Sequence, residues 1–322
     1  KLALKLVDYA AKAKADFVKF QTYSTNELVQ KKLKLASYQK KNIKQVSSQY
    51  KLLKKYELSE LDHRKILKRC RIKKIKFLSS PFDLKSIDLL HRLKLKIFKI
   101  PSGEITNVPY LKKIGSLKKR IILSTGMSNL NEIQSAIKIL QNNGTKKKQI
   151  TLLHCNTEYP ANPKKLNLLS IKFLKEKFKL VTGYSDHSEG QLASLTAVSL
   201  GAKIIEKHFT LNKKMKGPDH KASVDPMELK QLVDNIRKTE IILGSQNKDI
   251  QPEERNMLKI SKKGLYFSRK LDQFSKITRK DLLNIRPANS YTSFDLSNFV
   301  GKKLKKKVSK YMPLKKNLFY EK

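Results

Sequence analysis

Two histidines, a glutamate and two lysines, each set among apolar residues, are the groups in this sequence best suited to chemistry. The segment IIEKHFT opens as a buried strand but carries Glu206, Lys207 and His208 in its middle. Side chains alternate faces along a strand, so Ile204, Glu206 and His208 share one face, and Lys207 points the other way as a structural residue. His187, in GYSDHS, lies one strand–helix unit earlier, which puts the two imidazoles at neighbouring strand ends. An imidazole pair suits a divalent metal. Two protein ligands leave most positions open to water and substrate, as Lewis-acid catalysis requires. Asp186 and Asp219 add carboxylates near the pair, and His154 and His220 also fall near strand ends. Two hydrogen-bonded structural histidines would give the same pattern. In VKFQ, Lys19 shares a face with Gln21; in IFKIPSGE, Lys99 shares a face with Ile97. An inward lysine needs an anion. Glu104 or Glu206 could supply it, as could a bound phosphate; a Schiff-base role is the other alternative. Hydroxyls at Ser80, Ser102 and Ser185 favour a ligand carrying a phosphate and a carboxylate.

The elements that must position these groups are short apolar runs alternating with helical stretches. Strand candidates are residues 16–23, 75–83, 96–104, 120–127, 150–160, 179–187 and 202–210. SNLNEIQSAIKILQNNG reads as a helix with Ser128 as N-cap and Gly144 at its end. Strand–helix alternation predicts a parallel sheet covered by helices. Polar residues fall at the C-terminal end of nearly every candidate strand, as in a β/α barrel; a doubly wound sheet would use one switch point. The expected fold is therefore α/β, a (β/α)8 TIM barrel over residues 1–244 whose first strand should precede residue 1 and is lacking in this fragment. A polar linker is expected over 245–261. A small, mostly β domain is expected over 262–322, with ITRKDLLNIRP as a turn and helix. The Lys- and Gln-rich stretch 27–50 reads as a long loop with a helix.

Of 322 residues, 39% are hydrophobic, enough for one large domain and a small one. No run of about 18 apolar residues marks a membrane span, and KLALKLVDYAAKAKADF reads as a Lys-dotted helix rather than a signal peptide. Two distant cysteines, Cys70 and Cys155, point to a reducing, cytoplasmic setting. The net charge of +44 raises the question of nucleic acid. Only ten of the 71 basic residues are arginines, and the lysines are spread evenly with no RNA-binding signature. We expect no nucleic-acid or membrane partner, and a surface that attracts anionic small molecules.

In order along the chain stand VKFQTY, SSPFD, KIPSGEITN, LSTGMS, LLHCNTEYP, GYSDHS, IEKHFTL, GPDHKAS and NIRP. This series resembles the sialic acid synthase family, which includes N-acetylneuraminate, legionaminate and related nonulosonate synthases, and the resemblance covers nearly the whole chain. The C-terminal segment resembles that family's small antifreeze-like (SAF, β-clip) domain. The resemblance implies a metal-dependent transferase that condenses phosphoenolpyruvate with an N-acetylated hexosamine such as N-acetylmannosamine, releasing phosphate by C–O cleavage. It implies a metal, Mn²⁺ first with Mg²⁺ or Co²⁺ as alternatives, on His187 and His208 with Glu104 near. It places phosphoenolpyruvate on Lys19, Ser80, Lys99, Ser102, Thr157 and Ser185, with Asn156 adjacent. It places the sugar on Gln21, Tyr159 and Asp219, with Arg286 reaching from the swapped SAF domain of a homodimer. Lys19, Lys99 and Glu206 would be catalytic, Glu206 positioning or deprotonating the water that adds to carbon 2. The family's AEIG-like first strand and Asn-His-Asn-Gly-like loop have no counterpart here, which fits the expected missing strand. Two rivals are a different phosphoenolpyruvate aldol-type barrel synthase and an inactive barrel acting as a binding protein. The first would need arginines at the mouth for a second phosphate, and the barrel portion has few.

Overall fold

The computed structural model of the protein describes residues 1–35 and 48–320, so much of the stretch read as a long loop lies outside the described residues. The chain divides into two compact units, Lys1–Gly244 and Ser245–Lys322.

The first unit is α/β. After an opening helix, Leu2–Lys12, come β1 (Phe17–Thr22), β2 (Lys76–Pro81), β3 (Ile97–Ile100), β4 (Arg120–Ser124), β5 (Ile150–Cys155), β6 (Val181–Asp186) and β7 (Ile205–Lys207), with helices between them. β1 and β2 form a parallel pair, and β3 to β7 form a parallel sheet in sequence order. Each strand lies inside the apolar run that predicts it but is shorter. The polar tail of each run leaves the strand, and that of the third run forms a short 3-10 helix, Ser102–Glu104.

Helices cover the outer faces, where Leu90, Phe98, Leu111, Ile121 and Leu123 belong to one buried core. Fully burying such a side chain contributes about 1.5–3 kcal/mol. On the inner face Leu78, Ile122 and Leu153, with Ile97 and Ile204, make an apolar floor. Gly183 lets β6 pass close to this floor: a Cβ there would lie 2.4 Å from the Ile204 carbonyl oxygen and 2.6 Å from Leu153 Cδ2.

The helix Leu130–Asn142 is capped by Asn129, not Ser128. The Asn129 side chain accepts from the Asn131 and Glu132 amides, which the longer side chain reaches more readily. Ser128 Oγ donates instead to the Gly126 carbonyl.

The second unit starts with a helix, Glu254–Ser261, inside the stretch expected to be linker. The Glu254 carboxylate accepts from the Gln251 amide and holds its first turn. β8 (Gly264–Phe267) pairs antiparallel with β9 (Leu282–Ile285). ITRKDLLNIRP is thus a turn and a strand, not a turn and a helix. Asp281 caps the turn through Thr278, and Leu282 joins a core with Phe267, Ile277 and Leu304. Among the described residues no helix is long and apolar enough to cross a membrane.

Candidate active site

Residues from all seven strands of the first unit line one cavity of about 1110 Å³. Just above the apolar floor comes a polar layer, one residue from each strand: Lys19, Ser80, Lys99, Ser124, Cys155, Ser185 and Glu206. Beyond it lie Gln21, Ser102, Thr157, Tyr159, His187, His208 and Asp219. The alternation of a parallel strand explains the layering, because every second side chain faces in.

Glu206 bridges the two lysines. Oε1 lies 3.4 Å from Lys19 Nζ and Oε2 lies 3.3 Å from Lys99 Nζ. Ser185 Oγ donates to Oε1 at 3.3 Å. Of the two internal carboxylates considered for the lysines, Glu206 is the one that pairs with both. Lys99 is only 3% exposed, and its one short hydrogen bond runs to Ser124 Oγ at 2.7 Å. Burial lowers the Lys99 ammonium pKa, and the Glu206 carboxylate partly opposes that. Burial alone would raise the Glu206 pKa, but the Lys19 and Lys99 charges overcome it and hold the carboxyl well below the usual range.

His187 and His208 stand edge to face, ring centroids 5.2 Å apart, and Tyr159 packs 4.2 Å from the first and 5.4 Å from the second. His187 Nδ1 lies 2.5 Å from the Asn156 carbonyl oxygen. A carbonyl only accepts, so Nδ1 carries the proton and Nε2 presents a lone pair. Burial lowers the His187 pKa. Burial, with His187 and Lys19 beside it, pushes His208 down to about 3. Both rings are therefore neutral near pH 7, the form a metal needs. The pair fits a divalent cation as two imidazole donors. Glu104 is not gathered with them: it accepts from Asn107 Nδ2 at 2.7 Å, and burial raises its pKa. Among the described residues no group of three or more His, Cys, Asp or Glu side chains is arranged to hold a metal.

The remaining candidates divide. Ser102 Oγ accepts from the Gly126 amide at 2.9 Å and lies 3.3 Å from Cys155 Sγ. Ser80 Oγ and Asp219 Oδ1 are buried without a hydrogen-bond partner among the described residues, and burial pushes Asp219 up to about 6. Arg286 belongs to the second unit, where Nε donates to the Ser261 carbonyl. His154 Nε2 bonds the Leu166 carbonyl and its ring stacks on Tyr184, while His220 lines the same cavity as the imidazole pair and bonds Thr210. Asp186 faces away from the imidazoles, because it sits one residue off the inward register. It accepts from the Ser188 amide and hydroxyl and from Ser194 Oγ, and pairs with Lys207 at 2.9 Å. The reading of Lys207 as pointing away from Glu206 and His208 holds.

Sequence reasoning missed Ser124, Cys155 and Gly126. The first two sit in the inward register of their strands, which was a usable signal. Gly126 was not legible: a Cβ there would lie 2.6 Å from Thr157 Oγ1, 2.7 Å from Cys155 Sγ and 2.9 Å from Ser102 Oγ, contacts that bring together the C-terminal ends of β3, β4 and β5.

Residues 6–248 match the NeuB family model. The chain is 48% identical over 301 residues to an N,N'-diacetyllegionaminic acid synthase of Campylobacter jejuni, covering 94% of this chain and 90% of that one. It is 42% identical over 310 residues to the protein of the same name from Legionella pneumophila, covering 96% and 87%. A crystal structure of an N-acetylneuraminic acid (sialic acid) synthetase from Leptospira borgpetersenii, in complex with citrate, superposes with a TM-score of 0.70 at 33% identity, covering 80% and 84%.

Proposed function

The chain belongs to the NeuB family of nonulosonate synthases and is an enzyme, and on that premise we propose that it condenses phosphoenolpyruvate with an N-acetylated six-carbon amino sugar and releases phosphate. The observation that carries this reading is the pair of inward lysines, Lys19 and Lys99, on one carboxylate inside a cavity that also holds His187 and His208. The sugar of choice carries two acetamido groups, because the two relatives named for N,N'-diacetyllegionaminic acid share 48% and 42% identity with this chain. N-acetylmannosamine is the alternative.

Lys19 and Lys99, with Ser80, Ser102, Thr157 and Ser185, hold the phosphate and carboxylate of phosphoenolpyruvate. Gln21, Tyr159 and Asp219 hold the sugar, and Arg286 completes its site from the second unit of a partner subunit in a homodimer. His187 and His208 would hold a divalent cation, Mn²⁺ before Mg²⁺ or Co²⁺, whose charge would polarise the sugar carbonyl. Carbon 3 of phosphoenolpyruvate attacks that carbonyl, water positioned by Glu206 adds at carbon 2, and the C–O bond to phosphate breaks. We also propose a (β/α)8 barrel with its remaining strand between β7 and β1, two of the four edge strands of the first unit among the described residues, the others being β2 and β3, and a second unit of SAF type. We expect the enzyme to work in the cytoplasm, without nucleic acid.

Phosphate release from phosphoenolpyruvate, with Mn²⁺ and a panel of mono- and diacetamido hexoses, with and without EDTA, tests this. Release that needs both sugar and metal supports it, and the best sugar names the product. No release with any sugar from the folded protein rejects it.

A further inference from the structure

Glu206 is held in an unusual way for a buried carboxylate. Its three polar neighbours, Lys19, Lys99 and Ser185, stand at 3.4, 3.3 and 3.3 Å. Charge-assisted hydrogen bonds to a carboxylate settle at about 2.7–2.9 Å when the partners are matched. Lys99 gives its short bond to the neutral Ser124 hydroxyl instead. The layer is also rich in donors. Two ammonium groups and the hydroxyl of Ser185 converge on one carboxylate, and Ser80 Oγ lies buried in the same cavity without a hydrogen-bond partner among the described residues.

We propose that Glu206 is a resident counter-ion in the anion subsite, and that an anionic substrate enters by exchange, taking Lys19 and Lys99 from Glu206. The inference rests on the reading of these lysines as the holders of a phosphorylated carboxylate. Without Glu206, two like charges would face each other in a cavity where one of them is 3% exposed, and burying an ion without a partner is strongly unfavourable. Glu206 keeps the empty site charged and ordered. An anion with more oxygens than a carboxylate satisfies the surplus donors better and displaces it. Glu206 thus weakens substrate binding relative to a neutral residue of the same shape, which is the reverse of what a direct substrate-holding residue does.

The test is the affinity for inorganic phosphate and for phosphoenolpyruvate, by calorimetry at low ionic strength, in wild type, Glu206→Gln and Lys99→Met. The exchange predicts that Glu206→Gln binds both anions more tightly, on the order of tenfold, while Lys99→Met loses them. Equal or weaker binding by Glu206→Gln overturns the exchange and leaves the lysine reading standing, provided Lys99→Met still loses binding. Wild-type binding that Lys99→Met does not reduce overturns both. A thermal melt guards against a folding defect in Glu206→Gln. Exchange predicts a lowered melting temperature without phosphate and a larger rise on adding phosphate than in wild type. A rise no larger than wild type's overturns it.

Discussion

β7 takes part in two carboxylate–lysine groups, one on each face, and they are built differently. On the outer face Asp186 and Lys207 are register partners, 0% and 3% exposed, with the ion pair at 2.9 Å and three further donors on the carboxylate. On the inner face Glu206 touches Lys19 and Lys99 at 3.4 and 3.3 Å, opens onto a cavity and is 16% exposed. The outer carboxylate is fully engaged, and Lys207 donates to the Ser188 carbonyl as well as pairing with that carboxylate. The inner group is undersatisfied and rich in donors. One joins two strands; the other waits for an anion. His187 and His208 each follow a residue of the outer pair, so that pair fixes the spacing of the imidazoles.

Breaking the outer group should give the largest effect. Asp186→Ala leaves Lys207 buried without its counter-charge, with only the Ser188 carbonyl to accept from it, and should lower stability by about 3–5 kcal/mol in denaturant unfolding. A change under about 1 kcal/mol would mean that the outer group holds nothing. His208→Ala removes an imidazole without burying a charge. It should cut metal-dependent turnover by at least about 100-fold, beyond the upper range for loss of a ligand's outer support, with a melting temperature near wild type. Unchanged turnover would reject the metal assignment. Gly126→Ala should push Ser102, Cys155 and Thr157 and raise the KM for phosphoenolpyruvate by on the order of tenfold, measured by initial rates. The smallest effect sharpens the comparison from outside both groups. His63 is fully buried between Thr22 and the Ser59 carbonyl, and burial lowers its pKa from the ordinary 6.5. Below pH 6.5 the unfolded chain then binds more protons than the folded one. Stability is full above that pH and falls as pH drops. His63→Gln should flatten this acid limb by at most about 1.4 kcal/mol per pH unit.

The inner face was legible in the sequence because strand alternation assigns faces from residue types alone. Lys19, Lys99, Glu206 and His208 are polar residues in apolar runs, and each proves to line the cavity. The outer group was not legible as a pair, because Asp186 and Lys207 meet only through the β6–β7 register. The strands were found but drawn too long, since a polar tail that turns into the cavity reads like the end of a strand. In the second unit the helix expected within ITRKDLLNIRP is strand β9. DLLNI satisfies either period over so few residues, and pairing with β8 decides it. Glu104 was placed near the metal by resemblance alone; in the structure one of its carboxylate oxygens accepts from Asn107, three residues on.

The central claim is that the inner lysines, and not merely the fold around them, carry the activity. Sugar-dependent phosphate release by Lys99→Met, measured beside its denaturation midpoint, tests this most directly. The account predicts that release is lost while the midpoint holds, because Glu206 keeps Lys19 as its partner. Release at the wild-type rate from the folded variant would contradict it.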